Sequence, residues 1–157
     1  MTSPNKTHPF PTAESCEEAF YQAIEDADLD AMMAVWSERK TMSCIHPGAP
    51  MLTELDDIKE SWRQIFTMAD TIRFKRYAHS ISAEGSLSIH HLREDVLLLD
   101  EVVNTVIVTN IFKQEEDGWK LILHHASAEP DLEEFEAEIE EVNAAFSSLS
   151  PPSPTLH

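Results

Sequence analysis

Residues 102–113, VVNTVIVTNIFK, with the acidic QEEDG at 114–118 and WKLILHHAS at 119–127, decide the fold of this chain. Two runs rich in β-branched and aromatic residues on either side of a polar turn predict a β-hairpin. Asp117-Gly118 is a favoured central pair for a two-residue type I′ turn, in which both residues need positive φ. With that turn Phe112 faces Leu123 and Asn110 faces His125. Side chains alternate along a strand, so Val106, Val108, Asn110 and Phe112 share one face with Trp119, Leu121, Leu123, His125 and Ser127. Thr105, Ile107, Thr109, Ile111 and Lys113 form the other face, with Lys120, Ile122, His124 and Ala126. A three-residue turn or a bulge exchanges the two.

The first face is apolar and aromatic with two convergent polar groups, Asn110 and His125, as small-molecule pockets tend to be. The second carries an isoleucine row that a second subunit would cover, so a homodimer through this outer sheet face is expected. The preceding strand, SLSIHHLREDVLLL at 86–99, is registered through a tight turn at Asp100-Glu101. His91 then falls opposite Asn110, with Arg93 and Asp95 beside it. A bulge in LLLDEVV brings His90 and Glu94 inward instead.

Upstream, IRFKRYAHSIS at 72–82 is a further strand, and the four together argue for an antiparallel sheet in an α+β domain. Three helical segments come before it. Thr12 caps the first, whose stripe is Cys16, Phe20, Ala23, Ile24 and Ala27. Asp28-Leu29-Asp30 breaks the pattern, and Ala31–Trp36 forms a short second helix. Thr41–His46 alternates as a strand that stops at the Pro47-Gly48 turn. Thr53 caps a third helix with Leu55, Ile58, Trp62, Ile65 and Phe66 on one face. A last segment, capped by Asp131, places Leu132, Phe135, Ile139, Val142, Phe146 and Leu149 on one seam of a strongly acidic helix, which must pack on the domain or on a partner. The predicted organisation is an arm at 1–11, one folded domain at 12–130, the amphipathic helix at 131–149 and a proline-rich tail at 150–157.

Composition narrows the function. At 157 residues the chain is one domain long. Eleven basic residues against 29 acidic ones give a formal charge of −18, which disfavours nucleic acid and anionic lipid as partners. Two cysteines, Cys16 and Cys44, make no disulfide framework or zinc ribbon. No stretch has the length of a secretory signal core or a membrane span, so a cytoplasmic protein is expected. A zinc site from His46, His91 and His125 has no supporting spacing, and no metal or cofactor is expected.

The order of elements resembles the SnoaL-like branch of the nuclear transport factor 2-like superfamily. The matching pieces are AFYQAIEDADLDAMMAVW at 19–36, CIHPG at 44–48, IKESWRQIF at 58–66 and TNIFKQEEDGWKLILHHAS at 109–127. The resemblance implies a cone, in which a strongly curved sheet wraps helices around a cavity, and dimers formed through the outer sheet face. It implies no single activity, since members isomerise, dehydrate or cyclise small molecules or act as association modules. The Tyr, Asp and Asp constellation of ketosteroid isomerase is not placed among Tyr21, Tyr77 and the strand carboxylates. The closing strand also resembles the kinase association domain, with Ala126 where that domain would have an Arg.

The site expected from these readings has His46 and His125 as candidate general acid or base, both imidazoles titrating near neutrality. Trp36, Trp62, His91, Arg93, Asp95, Asn110 and Phe112 are the candidate ligand contacts. The ligand is a small organic molecule, with possible activities of isomerase, dehydratase or cyclase type. A non-catalytic association domain is the alternative.

Overall fold

The computed structural model describes residues 9–39, 41–68 and 72–149. The expected arm before Pro9 and the tail from Ser150 lie outside them. In chain order the elements are α1 (Ala13–Asp26), α2 (Leu29–Val35), β1 (Ser43–Ile45), α3 (Leu55–Met68), β2 (Ile72–Glu84), β3 (Leu87–Leu98), β4 (Glu101–Glu115), β5 (Gly118–Ala128) and α4 (Leu132–Ser148).

Local chemistry accounts for the helix ends. The Thr12 hydroxyl accepts from Ser15 N–H at 3.0 Å while Ser15 Oγ accepts from Thr12 N–H at 3.1 Å, a reciprocal cap on α1. The helix stops because Ala27 turns left-handed, φ 49°, and its N–H caps the last turn; it ends the apolar stripe rather than extending it. Asp28 then caps α2 through Ala31 N–H. The packed body begins before Thr12: Trp119 N–H donates to Phe10 C=O at 2.9 Å, and the Phe10 ring packs on the core. The expected mobile arm therefore does not extend to residue 10.

The five-stranded sheet has the order β1-β5-β4-β3-β2 and curves around α1, α2 and α3, an α+β fold. Four strands are antiparallel as expected. β1 joins β5 in parallel, because the chain crosses through α3 and three strands before returning to it. Phe20, Met32, Trp36, Ile58, Phe112 and Leu121 fill the core between helices and sheet, each side chain contributing roughly 1.5–3 kcal/mol by burial.

Two bulges set which residues face that core. The closing turn is Glu116-Asp117, one residue earlier than expected, with Gly118 at φ 115° opening β5. That shift alone keeps parity: Phe112 pairs with Leu121 instead of the expected Leu123, a residue of the same expected face. The register then slips: Phe112 pairs with Leu121 but Ile111 with Leu123, leaving Ile122 extra. Everything beyond it flips. His124 and Ala126 point inward and His125 outward. The preceding turn is Leu99-Asp100, both at positive φ, and Val103 is the extra residue beside it. His90, not His91, therefore lies opposite Asn110.

Among the described residues the seam of α4 is not buried against this body. No α4 residue is buried, and Phe135, Ile139, Val142 and Phe146 all stay exposed within the single chain. Among the described residues no helix is long and apolar enough to cross a membrane.

Candidate functional site

A cavity of about 160 Å³ opens between α1, α3 and the inner face of β2 to β5. Its walls are mainly apolar, among them Phe20, Ile24, Phe66, Val106 and Ala126, and its polar groups are His46, Glu94 and His124. Trp62 forms one wall, 4.8 Å from the His46 ring and 5.9 Å from His124. Among the described residues the Trp62 Nε1–H has no hydrogen-bond partner, although the residue is buried.

Behind the cavity lies a buried polar network whose members come in pairs from single elements. Glu17 and Tyr21 are one turn apart on α1, so they share its inner face. His90 and Glu94 are four apart on β3, again one face. The Tyr21 hydroxyl donates to the Glu94 carboxylate. Asn110 Nδ2 donates to Glu17 Oε2 at 3.1 Å and lies 3.4 Å from the Tyr21 hydroxyl. His90 Nδ1 lies 3.0 Å from Glu17 Oε2, and Ser88 Oγ contacts His90 Nε2 at 2.8 Å.

These contacts fix the state of two imidazoles. Because Asn110 turns its NH2 to the Glu17 carboxylate, its Oδ1 faces His124 Nδ1 at 2.7 Å. An amide oxygen only accepts, so Nδ1 carries the proton and Nε2 holds a lone pair. That Nε2 has no hydrogen-bond partner among the described residues. Burial, with His46 and His125 nearby, depresses the His124 pKa to about 3, so the ring is neutral at physiological pH. The Ser61 hydroxyl is spent on Ile58 C=O, so it accepts from His46 Nε2–H at 3.0 Å. His46 is likewise held below its ordinary pKa by burial.

The two inward carboxyls differ. Burial raises Glu94 to about 7, against the Tyr21 hydrogen bond and the Arg76 charge that favour the anion, with Glu17 adding to the rise. Burial would raise Glu17 too, but hydrogen bonds from His90 and Asn110 and the nearby imidazoles outweigh it and hold Glu17 below the usual range. Burial, followed by the Glu94 charge, pushes Tyr21 well above its ordinary value. Both cysteines are buried, which raises their thiols to about 12 and leaves them inert.

Of the residues expected at the site, His46 and Trp62 line the cavity, and Asn110 lies behind it as the group that orients His124. Phe112 is fully buried against the His90 ring, and Trp36 is a core residue bridged to Leu121. His125, His91, Arg93 and Asp95 lie on the outer face because of the two bulges. There His91 meets Thr109, Arg93 pairs with Glu129 at 2.8 Å, and Asp95 accepts from Tyr77 and Thr105. His46, His91 and His125 consequently do not converge. His90, Glu94 and His124 face inward through the bulges that the sequence reading held as alternatives, and Glu17 and Tyr21 are the groups it did not assign. The Tyr21–Glu94 contact is a tyrosine–carboxyl pair of the kind that could not be placed from sequence.

The fold and this inward-facing site define a class, and the chain belongs to the SnoaL-like family. Residues 13–130 match its domain model, within the nuclear transport factor 2-like superfamily. The chain is similar to a Thiobacillus denitrificans protein provisionally assigned as a calcium/calmodulin-dependent protein kinase type II association domain, with 36% identity and a TM-score of 0.73 over 77% of this chain and 98% of that one. It is also similar to a provisionally assigned dehydratase of the NTF2-like family from Streptomyces avermitilis, with 28% identity and a TM-score of 0.68 over 74% of this chain and 92% of that one. The F-box protein SKIP8 of Arabidopsis thaliana is 21% identical over 108 residues, 69% of this chain, and the match spans 46% of that protein's length.

Proposed function

We propose that the cavity binds a small, uncharged, carbonyl-bearing organic molecule and moves a proton at the carbon beside the carbonyl. The observation that carries this reading is the pairing of Glu94, a carboxyl titrating near 7, with a neutral His124 whose Nε2 has no hydrogen-bond partner among the described residues, in one apolar cavity. Two titratable groups driven apart by their surroundings are the usual basis of acid and base roles. At about 160 Å³ the space is below the roughly 300–1,000 Å³ of drug-sized pockets, so the ligand is small.

Glu94 is the proton carrier in this scheme. As carboxylate it takes the proton from the carbon, and as acid it returns it to a neighbouring carbon for isomerisation or to a departing hydroxyl for loss of water. Either course balances with one carboxyl. His124 Nε2 accepts from a substrate hydroxyl, and the Trp62 ring walls the cavity beside it. His46 Nδ1 is a second basic nitrogen at the same wall. The dehydratase assignment of the Streptomyces relative supports this class of chemistry.

The test is deuterium exchange. A panel of small ketones and β-hydroxy carbonyl compounds is incubated with the protein in D2O, and loss of the α-proton signal is followed by NMR. Exchange by the wild type that Glu94→Gln abolishes is expected. Equal exchange by the variant, or none with any compound, contradicts the proposal.

A second reading is favoured by one observation: Val103 and Ile107 on the outer sheet, and Phe135, Ile139 and Val142 on α4, are exposed apolar residues that no described residue buries. In that reading the chain is an association module that assembles through the outer face, as the name of the Thiobacillus relative suggests for that protein. A homodimer through the outer face is compatible with both readings. Native mass spectrometry separates them, since a ligand-free ring larger than a dimer favours the module.

A further inference from the structure

We propose that Glu17, His79 and His90 form a site for a divalent transition-metal ion of zinc's class, at the base of the groove between α1 and β2. Glu17 Oε1 lies 3.1 Å from His79 Nε2, and Glu17 Oε2 lies 3.0 Å from His90 Nδ1. All three donor atoms fall within 4.8 Å of one another. A tetrahedral ion bonded at about 2.0–2.2 Å needs its ligand atoms roughly 3.3 Å apart. His79 already faces Oε1 whereas His90 faces Oε2, so both imidazoles must close on an ion held at Oε1. His79 is free to do so: its side chain is 37% exposed and it sits beside the register shift between Tyr77 and Ser80.

The surroundings suit a ligated ion. Binding needs a lone pair on His90 Nδ1, so that ring takes the tautomer with Nε2–H. Ser88 Oγ, at 2.8 Å from Nε2, can accept as readily as donate. Asn110 holds Glu17 Oε2 and leaves Oε1 for the metal, the outer-shell arrangement that orients ligating carboxylates. Two imidazoles and one carboxylate match zinc-type ions better than the all-oxygen sets of calcium or magnesium. The groove, about 620 Å³, adds Glu14 and Glu18 against two cations, Lys75 and Arg76, of which Arg76 is paired with Glu18 at 2.7 Å. The open side leaves a fourth position for water or a groove ligand, and the formal charge of −18 draws cations to the surface.

The experiment is calorimetric titration of ZnCl2 into the full chain stripped with chelator, with cobalt(II) absorption as a geometric readout. The variants are His79→Ala and His79→Cys. The wild type is expected to bind one equivalent at this site and to give the intense visible bands of tetrahedral cobalt. His79→Ala should weaken that affinity at least about tenfold, the lower end of what outer-shell losses cost, with unchanged circular dichroism. His79→Cys, which restores a ligand, should regain binding and add a thiolate-to-cobalt band. Binding that His79→Ala leaves unchanged, or no saturable binding by the wild type, overturns the site and leaves the three residues as an ion-pair cluster.

Discussion

Asn110 Oδ1 accepts the Nδ1 proton of His124 at 2.7 Å, from the strand next to it in the sheet. The amide is in turn anchored by Glu17 on α1. One buried asparagine therefore passes the position of a helix carboxylate to the tautomer of a cavity histidine.

Replacing Asn110 with Ala should leave His124 Nδ1–H without an acceptor and remove a donor from Glu17. Each unpaired buried group costs roughly 1–3 kcal/mol, so a loss of about 2–4 kcal/mol is expected from urea unfolding with an unchanged m-value. Long-range proton–nitrogen spectra should also show His124 losing its single Nδ1–H form.

The stability of the protein should fall as pH rises from about 4.5 to 7 because of Glu94. Its folded pKa, about 7, lies above its ordinary 4.5, so the folded state retains a proton that the unfolded state releases across that window. The full penalty, about 3 kcal/mol, is in place above pH 7. Glu94→Gln, which can still accept from Tyr21, should therefore be more stable than wild type at pH 8 and nearly equal to it below pH 4.5. Thermal unfolding at the two pH values checks this.

His124 works in the opposite sense. Its folded pKa, about 3, is below its ordinary 6.5, so its contribution is complete above pH 6.5 and drains away as pH falls toward 3. By pH 5 the loss is about 2 kcal/mol. His124→Gln should flatten that part of the stability profile, and a variant as steep as wild type there would assign the acid limb to other groups.

Ile107 lies on the outer sheet face and is 39% exposed in the single chain. If this face joins subunits, Ile107→Glu buries a charge at the contact and should convert a dimer to a monomer in native mass spectrometry while the circular dichroism stays the same. An unchanged dimer would move the interface elsewhere, with the α4 seam the next surface to alter by Ile139→Glu.

Most of the fold was legible because its signals are local. Thr12 and Asp28 cap helices, the apolar stripes of α1 and α3 have helical spacing, and the inward set Val106, Val108, Asn110 and Phe112 follows from alternation. The site was not, because parity is fragile. In Leu121-Ile122-Leu123 every residue is apolar, so nothing in the run marks which one is extra, and the choice between His124 and His125 depends on it. On β3 both faces mix apolar and charged residues, with His90, Leu92, Glu94 and Val96 on one and Ile89, His91, Arg93, Asp95 and Leu97 on the other, so hydrophobic pattern cannot choose between them. Glu17 and Tyr21 were hidden for another reason. A carboxylate and a phenol on a helix read as surface groups until the sheet supplies their partners.

The claim on which the account turns is that Glu94 gains and loses its proton near neutral pH inside the cavity. Carbon-13 labelling of the glutamate side chains, with Glu94 assigned by comparison with Glu94→Gln, allows its carboxyl to be titrated by NMR between pH 4 and pH 9. A midpoint close to 7 is predicted. A midpoint in the ordinary carboxylate range near 4.5 would contradict the acid–base role and leave the cavity as a binding space alone.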